Sequence, residues 1–114
     1  MKRLLLAYIG NEQPSWGNIA FSRPQHYYIM PGILYLAAAL RGDEELAATL
    51  RVETMHLNMT VQDEAPMFEQ IMSARPDVVG FSVFCWNRER VLALAARYRQ
   101  ARPEGRILLG GPEV

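Results

Sequence analysis

The run Leu4-Leu5-Leu6-Ala7-Tyr8-Ile9, closed by Gly10, decides the fold. An unbroken apolar stretch of this length suits a strand buried on both faces, as in parallel sheets covered by helices above and below. Working outward, Pro31-Gly32 opens a helical pattern to about Arg41, with Ile33, Leu36, Ala37 and Leu40 spaced as one apolar stripe. Pro31 is tolerated in a first turn, and Gly42 offers a C-terminal stop. Arg51 to Leu57 reads as a second strand, placed at an edge because it alternates and carries Arg51, Glu53 and His56. A second helix is predicted over about Glu64 to Ala74, with Asp63 as N-cap and Phe68, Ile71 and Met72 facing inward. Arg75-Pro76-Asp77 ends it.

Val78 to Phe84 is the third, central strand. Asn87 caps a third helix that runs to about Ala101, with Val91, Leu94, Ala95 and Tyr98 on one stripe. Pro103 to Gly105 turn the chain into a fourth strand, Ile107-Leu108-Leu109, followed at once by Gly110-Gly111-Pro112. Strand and helix alternate throughout, which predicts an α/β fold: a Rossmann-like (flavodoxin-like) parallel sheet with right-handed crossovers and helices on both faces. A flavodoxin-like sheet normally adds a fifth strand beside the fourth, and the chain ends four residues after Gly110. The expectation is therefore a domain truncated after strand four, spanning residues 1–114. Its bare edge would pair with another copy, or with a displaced segment of the same chain.

The 114 residues fit one domain, and half of them are apolar, enough for a core without disulfides. Twelve basic residues balance twelve acidic ones, and no basic block stands out. That argues against nucleic acid and against an electrostatic membrane site. Met1-Lys2-Arg3 before an apolar run looks like a secretory start, but the run is short and lacks a small-residue cleavage site. With no transmembrane stretch, a cytoplasmic protein is expected.

In open parallel sheets, ligands sit outside the carboxyl ends of the strands. Three segments meet there: Gly10 to Met30, Phe84 to Arg88, and Gly110 to Val114. The first is long for such a connection and carries Pro14, Trp16, Gly17, Phe21, Pro24, Tyr27 and Tyr28, so it is expected to pack on a ligand or on the domain's own core. Gly110-Gly111 lets a backbone approach a ligand closely. Ser82 either bonds a buried ligand tail or bonds neighbouring backbone. No Gly-x-Gly-x-x-Gly follows strand one and no Walker-type loop occurs, which sets nicotinamide and nucleoside triphosphates aside. A receiver would need paired carboxylates after strand one, and a flavin carrier a Ser/Thr-rich first loop; neither is clear. His26 and His56 lack supporting ligands for a metal, and Cys85, the single cysteine, can form neither an internal disulfide nor a cysteine-only metal cage. No nucleophilic triad assembles.

Three segments carry a family resemblance. Pro31-Gly32-Ile33-Leu34-Tyr35-Leu36-Ala37-Ala38-Ala39-Leu40-Arg41 resembles the first helix of cobalamin-binding domains in radical S-adenosylmethionine enzymes. Pro76-Asp77-Val78-Val79-Gly80-Phe81-Ser82-Val83 is similar to their third-strand signature, and Gly110-Gly111-Pro112-Glu113-Val114 to their fourth-strand loop. The resemblance implies cobalamin over the carboxyl ends of the strands, with its nucleotide tail between sheet and helices. It implies cofactor contacts from Ser82, Gly110 and Gly111 along the tail and corrin edge, with Pro112 and Glu113 also among the cofactor-binding residues. Phe84, Trp86 and Asn87 would approach the lower corrin face.

Two departures qualify this. The Asp-x-His-x-x-Gly motif of cobalamin mutases and methionine synthase is absent: His26 has Pro24 two residues before it and Ile29 three after it. No protein imidazole is expected on cobalt. The Cys-x-x-x-Cys-x-x-Cys cluster motif is also absent, so this chain cannot run radical chemistry. The resemblance implies a catalytic domain beyond Val114 in a parent protein, holding a [4Fe-4S] cluster and S-adenosylmethionine. Methyl transfer is the reaction expected. The competing reading is a docking scaffold that keeps the fold without binding cobalamin.

Overall fold

The computed structural model describes residues 1–11 and 31–114. Four strands, β1 (Lys2–Gly10), β2 (Leu50–Asn58), β3 (Val78–Ser82) and β4 (Arg106–Gly110), form one parallel sheet in the order β2-β1-β3-β4. Helices α1 (Pro31–Gly42), α2 (Glu44–Thr49), α3 (Glu64–Ser73) and α4 (Arg88–Ala101) connect and cover it. This is the expected flavodoxin-like α/β arrangement, with β1 and β3 central and β2 at an edge.

Strand alternation divides the core in two. Leu5, Ala7, Ile9, Val79 and Phe81 point to one face, where Met67 and Ile71 of α3 and Val91, Leu94, Ala95 and Tyr98 of α4 cover them. Leu4, Leu6, Tyr8 and Val52 point to the other, where Ile33 and Ala37 of α1 pack on them. Each such fully buried aliphatic side chain contributes roughly 1.5–3 kcal/mol. On α3 the inward residues are Met67 and Ile71, while the expected Phe68 and Met72 pack only partly buried at the margin.

Three local readings change. Helix α2 was not expected. It starts because the Asp43 side chain accepts the Leu46 N–H at 3.0 Å, and Glu44 and Glu45 suit the positive end of the first turn. β3 stops at Ser82 rather than Phe84, because the Phe84 N–H is taken at 2.8 Å by Asn87 Oδ1, which curls the chain out of the sheet. Asp63 and Asn87 occupy the N-cap positions of α3 and α4, yet neither side chain makes the capping bond.

The amino ends of the strands are tied together. Asp77 accepts the Arg3 N–H at 2.8 Å and the Arg102 guanidinium at 3.1 Å. The Tyr98 hydroxyl donates to the Pro76 carbonyl at 2.8 Å. Among the described residues β4 pairs with β3 alone. No helix among the described residues is long and apolar enough to cross a membrane.

Candidate functional site

The two faces of the sheet are not equally covered. α1 packs over β1 and β2, and among the described residues no helix covers the same face of β3 and β4. A cleft of about 620 Å³ opens there, within the usual range for a small-molecule site. Register explains its floor. Leu6, Gly80 and Leu108 are paired in one row across β1, β3 and β4, so all three face the cleft. Gly80 keeps this row shallow: a Cβ there would lie 3.0 Å from Leu6 Cδ2. One step toward the carboxyl end, Ser82 pairs with Gly110. A Cβ on Gly110 would meet nothing within 4 Å.

The walls are apolar. Ile33 and Leu36 of α1 stand on one side, and Leu108, 53 % exposed, is the outermost residue of the floor row. Tyr35, 75 % exposed, sits at the rim. Among the described residues no charged side chain lines the cleft, and only Ser82 and Tyr35 bring side-chain hydroxyls to it.

At the carboxyl end the aromatic rings form a row. Phe84 stacks on Trp86 at 4.4 Å between centroids and meets the edge of Tyr8 at 5.9 Å. Tyr8 in turn lies 5.5 Å from the His56 ring. The row fixes Phe84 at the end of the cleft. Gly111 has φ +95°, a left-handed conformation, and a Cβ there would come within 2.7 Å of the Val83 backbone. Its glycine holds the β4 loop against β3, where Val83 N–H donates to the Gly110 carbonyl at 2.7 Å and Glu113 N–H to the Val83 carbonyl at 3.1 Å.

Of the residues expected at a cofactor, Ser82, Phe84, Gly110 and Gly111 line this cleft together. Trp86 does not line it; it stacks behind Phe84. Pro112 and Glu113 are exposed just past the cleft and do not line it. Asn87 is placed differently from the expectation of a cofactor contact. It is completely buried, and its amide bridges the Ile9 and Ser82 carbonyls while its oxygen holds Phe84 N–H. Those bonds make it a brace between β1, β3 and the loop. His26 and the aromatic residues of the first loop lie outside the described residues.

Sequence reasoning missed the floor and walls. Leu6, Ile33 and Leu108 carry the same apolar signature as core, and only the distribution of helices exposes them. Gly80 had a readable signal, since an isolated glycine inside a strand often marks a close approach.

The sequence profile of the B12 binding domain matches residues 17–114. The chain belongs to the B12-binding domain family. Family membership supports cobalamin binding, and the parallel sheet is the fold that family has. A comparison with curated proteins gave no match. In this B12-binding domain, the β3–β4 register brings Ser82 and Gly110 to one cleft, and Gly111 follows there by its close approach to the Val83 backbone.

Proposed function

We propose that this domain binds cobalamin for a radical S-adenosylmethionine methyltransferase and holds it without a protein histidine on cobalt. The observation that carries the binding reading is the cleft over β3 and β4, which is apolar and uncharged and ends on Ser82 and Gly110. These residues fit a nucleotide base and its sugar: the lining is apolar, the Ser82 hydroxyl offers one donor and acceptor, and the missing side chain at Gly110 leaves open space.

Bound cobalamin supplies a cobalt centre able to carry a methyl group between donor and acceptor. The chain's part is to bind and orient. Leu6, Ile33 and Leu108 would enclose the tail, Gly110 and Gly111 would let backbone approach it, and Phe84, backed by Trp86, would meet the corrin side. The histidine-free reading is supported by the missing Asp-x-His-x-x-Gly motif. The link to a catalytic domain holding a [4Fe-4S] cluster and S-adenosylmethionine rests on the sequence resemblance. On that reading the cluster would be held elsewhere in a parent protein, since a single cysteine cannot hold it.

The test is to mix the purified protein with hydroxocobalamin, desalt it and read retained corrin absorbance. Retention is expected, and loss of all corrin would favour the docking scaffold. A paramagnetic resonance spectrum of the reduced complex showing protein nitrogen on cobalt would contradict the histidine-free part.

A further inference from the structure

We infer that two copies of this chain join through the outer edges of β4, which pair antiparallel about a two-fold axis at Leu108 and merge two four-stranded sheets into one. Nothing in this pairing depends on what occupies the cleft.

Among the described residues the outer edge of β4 carries no strand. The chain after β4 leaves that edge open, because the Glu113 N–H donates to the Val83 carbonyl at 3.1 Å and turns the tail toward β3. A bare edge offers its backbone donors and acceptors to another strand, and proteins usually blunt it with charge, proline or a bulge. β4 reads Arg-Ile-Leu-Leu-Gly, with its one charge at the start and no proline. Its flanks are apolar on both faces. Leu108 is exposed on the cleft face, and Leu109, 42 % exposed, lies on the opposite face. Leu92 of α4, 48 % exposed, stands two turns before Arg99 on one helix stripe, and Arg99 reaches the Gly105 carbonyl just before β4.

Hydrogen-bond parity selects the register. The Arg106 N–H donates to the Asp77 carbonyl at 3.1 Å, and the Val83 N–H to the Gly110 carbonyl at 2.7 Å. Alternate residues of a strand turn their backbone groups to the same neighbour. Arg106, Leu108 and Gly110 therefore face β3, while Ile107 and Leu109 point their N–H and C=O groups outward. A two-fold axis at Leu108 sets Ile107 of each copy against Leu109 of the other, and every outward group of the strand then finds a partner. A slip of one residue would oppose outward groups to inward ones and lose these bonds. The two Leu108 side chains meet as a non-hydrogen-bonded pair, where side chains approach closely. Arg106 falls opposite Gly110, so no like charges meet across the seam. Such a self-complementary contact closes as a two-fold dimer. Both clefts open on the same face of the joined sheet, and each Leu108 extends the floor of the other copy's cleft.

Sedimentation equilibrium of the 114-residue chain is expected to give twice the mass of one chain, falling on dilution. Leu108→Lys sets two ammonium groups against each other at the axis and should return the mass to that of one chain, with the circular dichroism spectrum unchanged. Leu109→Pro removes an outward N–H, leaves the β3 ladder intact and should do the same. In a Cys85→Ser background, oxidation with copper phenanthroline should cross-link the Leu108→Cys variant into a disulfide dimer. The Leu109→Cys variant should stay uncrosslinked, because Leu109 faces Ile107 and not its own copy. A single-chain mass for the unaltered protein at every concentration would overturn the inference. So would a dimer that survives Leu108→Lys, or one that cross-links through Leu109→Cys instead.

Discussion

The Asn87 side-chain amide donates to the Ile9 carbonyl at 2.9 Å, joining the ends of β1 and the β3 loop across 78 residues of sequence. The same amide donates to the Ser82 carbonyl at 3.1 Å, and the Asn87 oxygen accepts from Phe84 N–H at 2.8 Å. Asn87→Ala would strip these backbone groups of their partner. A loss of about 2–4 kcal/mol is expected in urea denaturation. Asn87→Asp should be worse, because it turns an acceptor toward two carbonyls. A loss below about 0.5 kcal/mol for both would contradict the bracing role.

Neighbouring glycines should behave oppositely. Gly111→Ala forces a Cβ into the Val83 backbone at positive φ and should destabilise by about 1–3 kcal/mol. Gly110→Ala meets nothing within 4 Å, so stability should change by no more than about 0.5 kcal/mol. Its new methyl lies on the Leu108 side of β4, in the cleft, so corrin retention should fall while the circular dichroism spectrum is unchanged. Full retention by Gly110→Ala would move the tail elsewhere.

Acid should loosen the amino ends of the strands. The Arg3 N–H, and then the Arg102 side chain, hold the Asp77 carboxyl below the ordinary carboxylate range. A depressed folded value means stabilisation that is full above the unfolded value and lost as pH falls through the folded one. Asp77→Asn should therefore flatten the acid limb of the stability–pH curve while lowering stability at neutral pH. An acid limb of unchanged slope would exclude Asp77 as its source.

Arg75 follows α3 with φ 50°, and its N–H closes on the Met72 carbonyl at 2.9 Å. This is the left-handed helix exit that glycine adopts without penalty. Arg75→Gly is expected to raise stability by about 1 kcal/mol, read as a higher urea midpoint at unchanged slope. A lower midpoint would mean the arginine makes a compensating contact.

Much of this was legible in the chain. The apolar run Leu4 to Ile9 demanded a strand covered on both sides, and Val91, Leu94, Ala95 and Tyr98 marked the buried stripe of α4. The edge position of β2 followed from its charged residues. Periodicity reports such features because each residue's burial repeats at the element's own spacing. The short helix α2 was missed although Asp43 and two glutamates announced it, because no apolar stripe accompanies them; it has no buried residue.

The sequence alone determined the order of the strands and of every helix except α2, the parallel sheet, and the glycine pair that ends β4. Only the tertiary structure decided which of these residues form a site. Ser82 ends β3 and Asn87 follows in the loop before α4; both are polar, yet one lines the cleft and the other is fully buried. Leu6 and Leu5 are identical neighbours, and the pleat sends one toward the cleft and the other under α3 and α4. A side chain's role there depends on which face its strand presents and on whether a helix covers that face, and both are set by contacts between segments far apart in the chain.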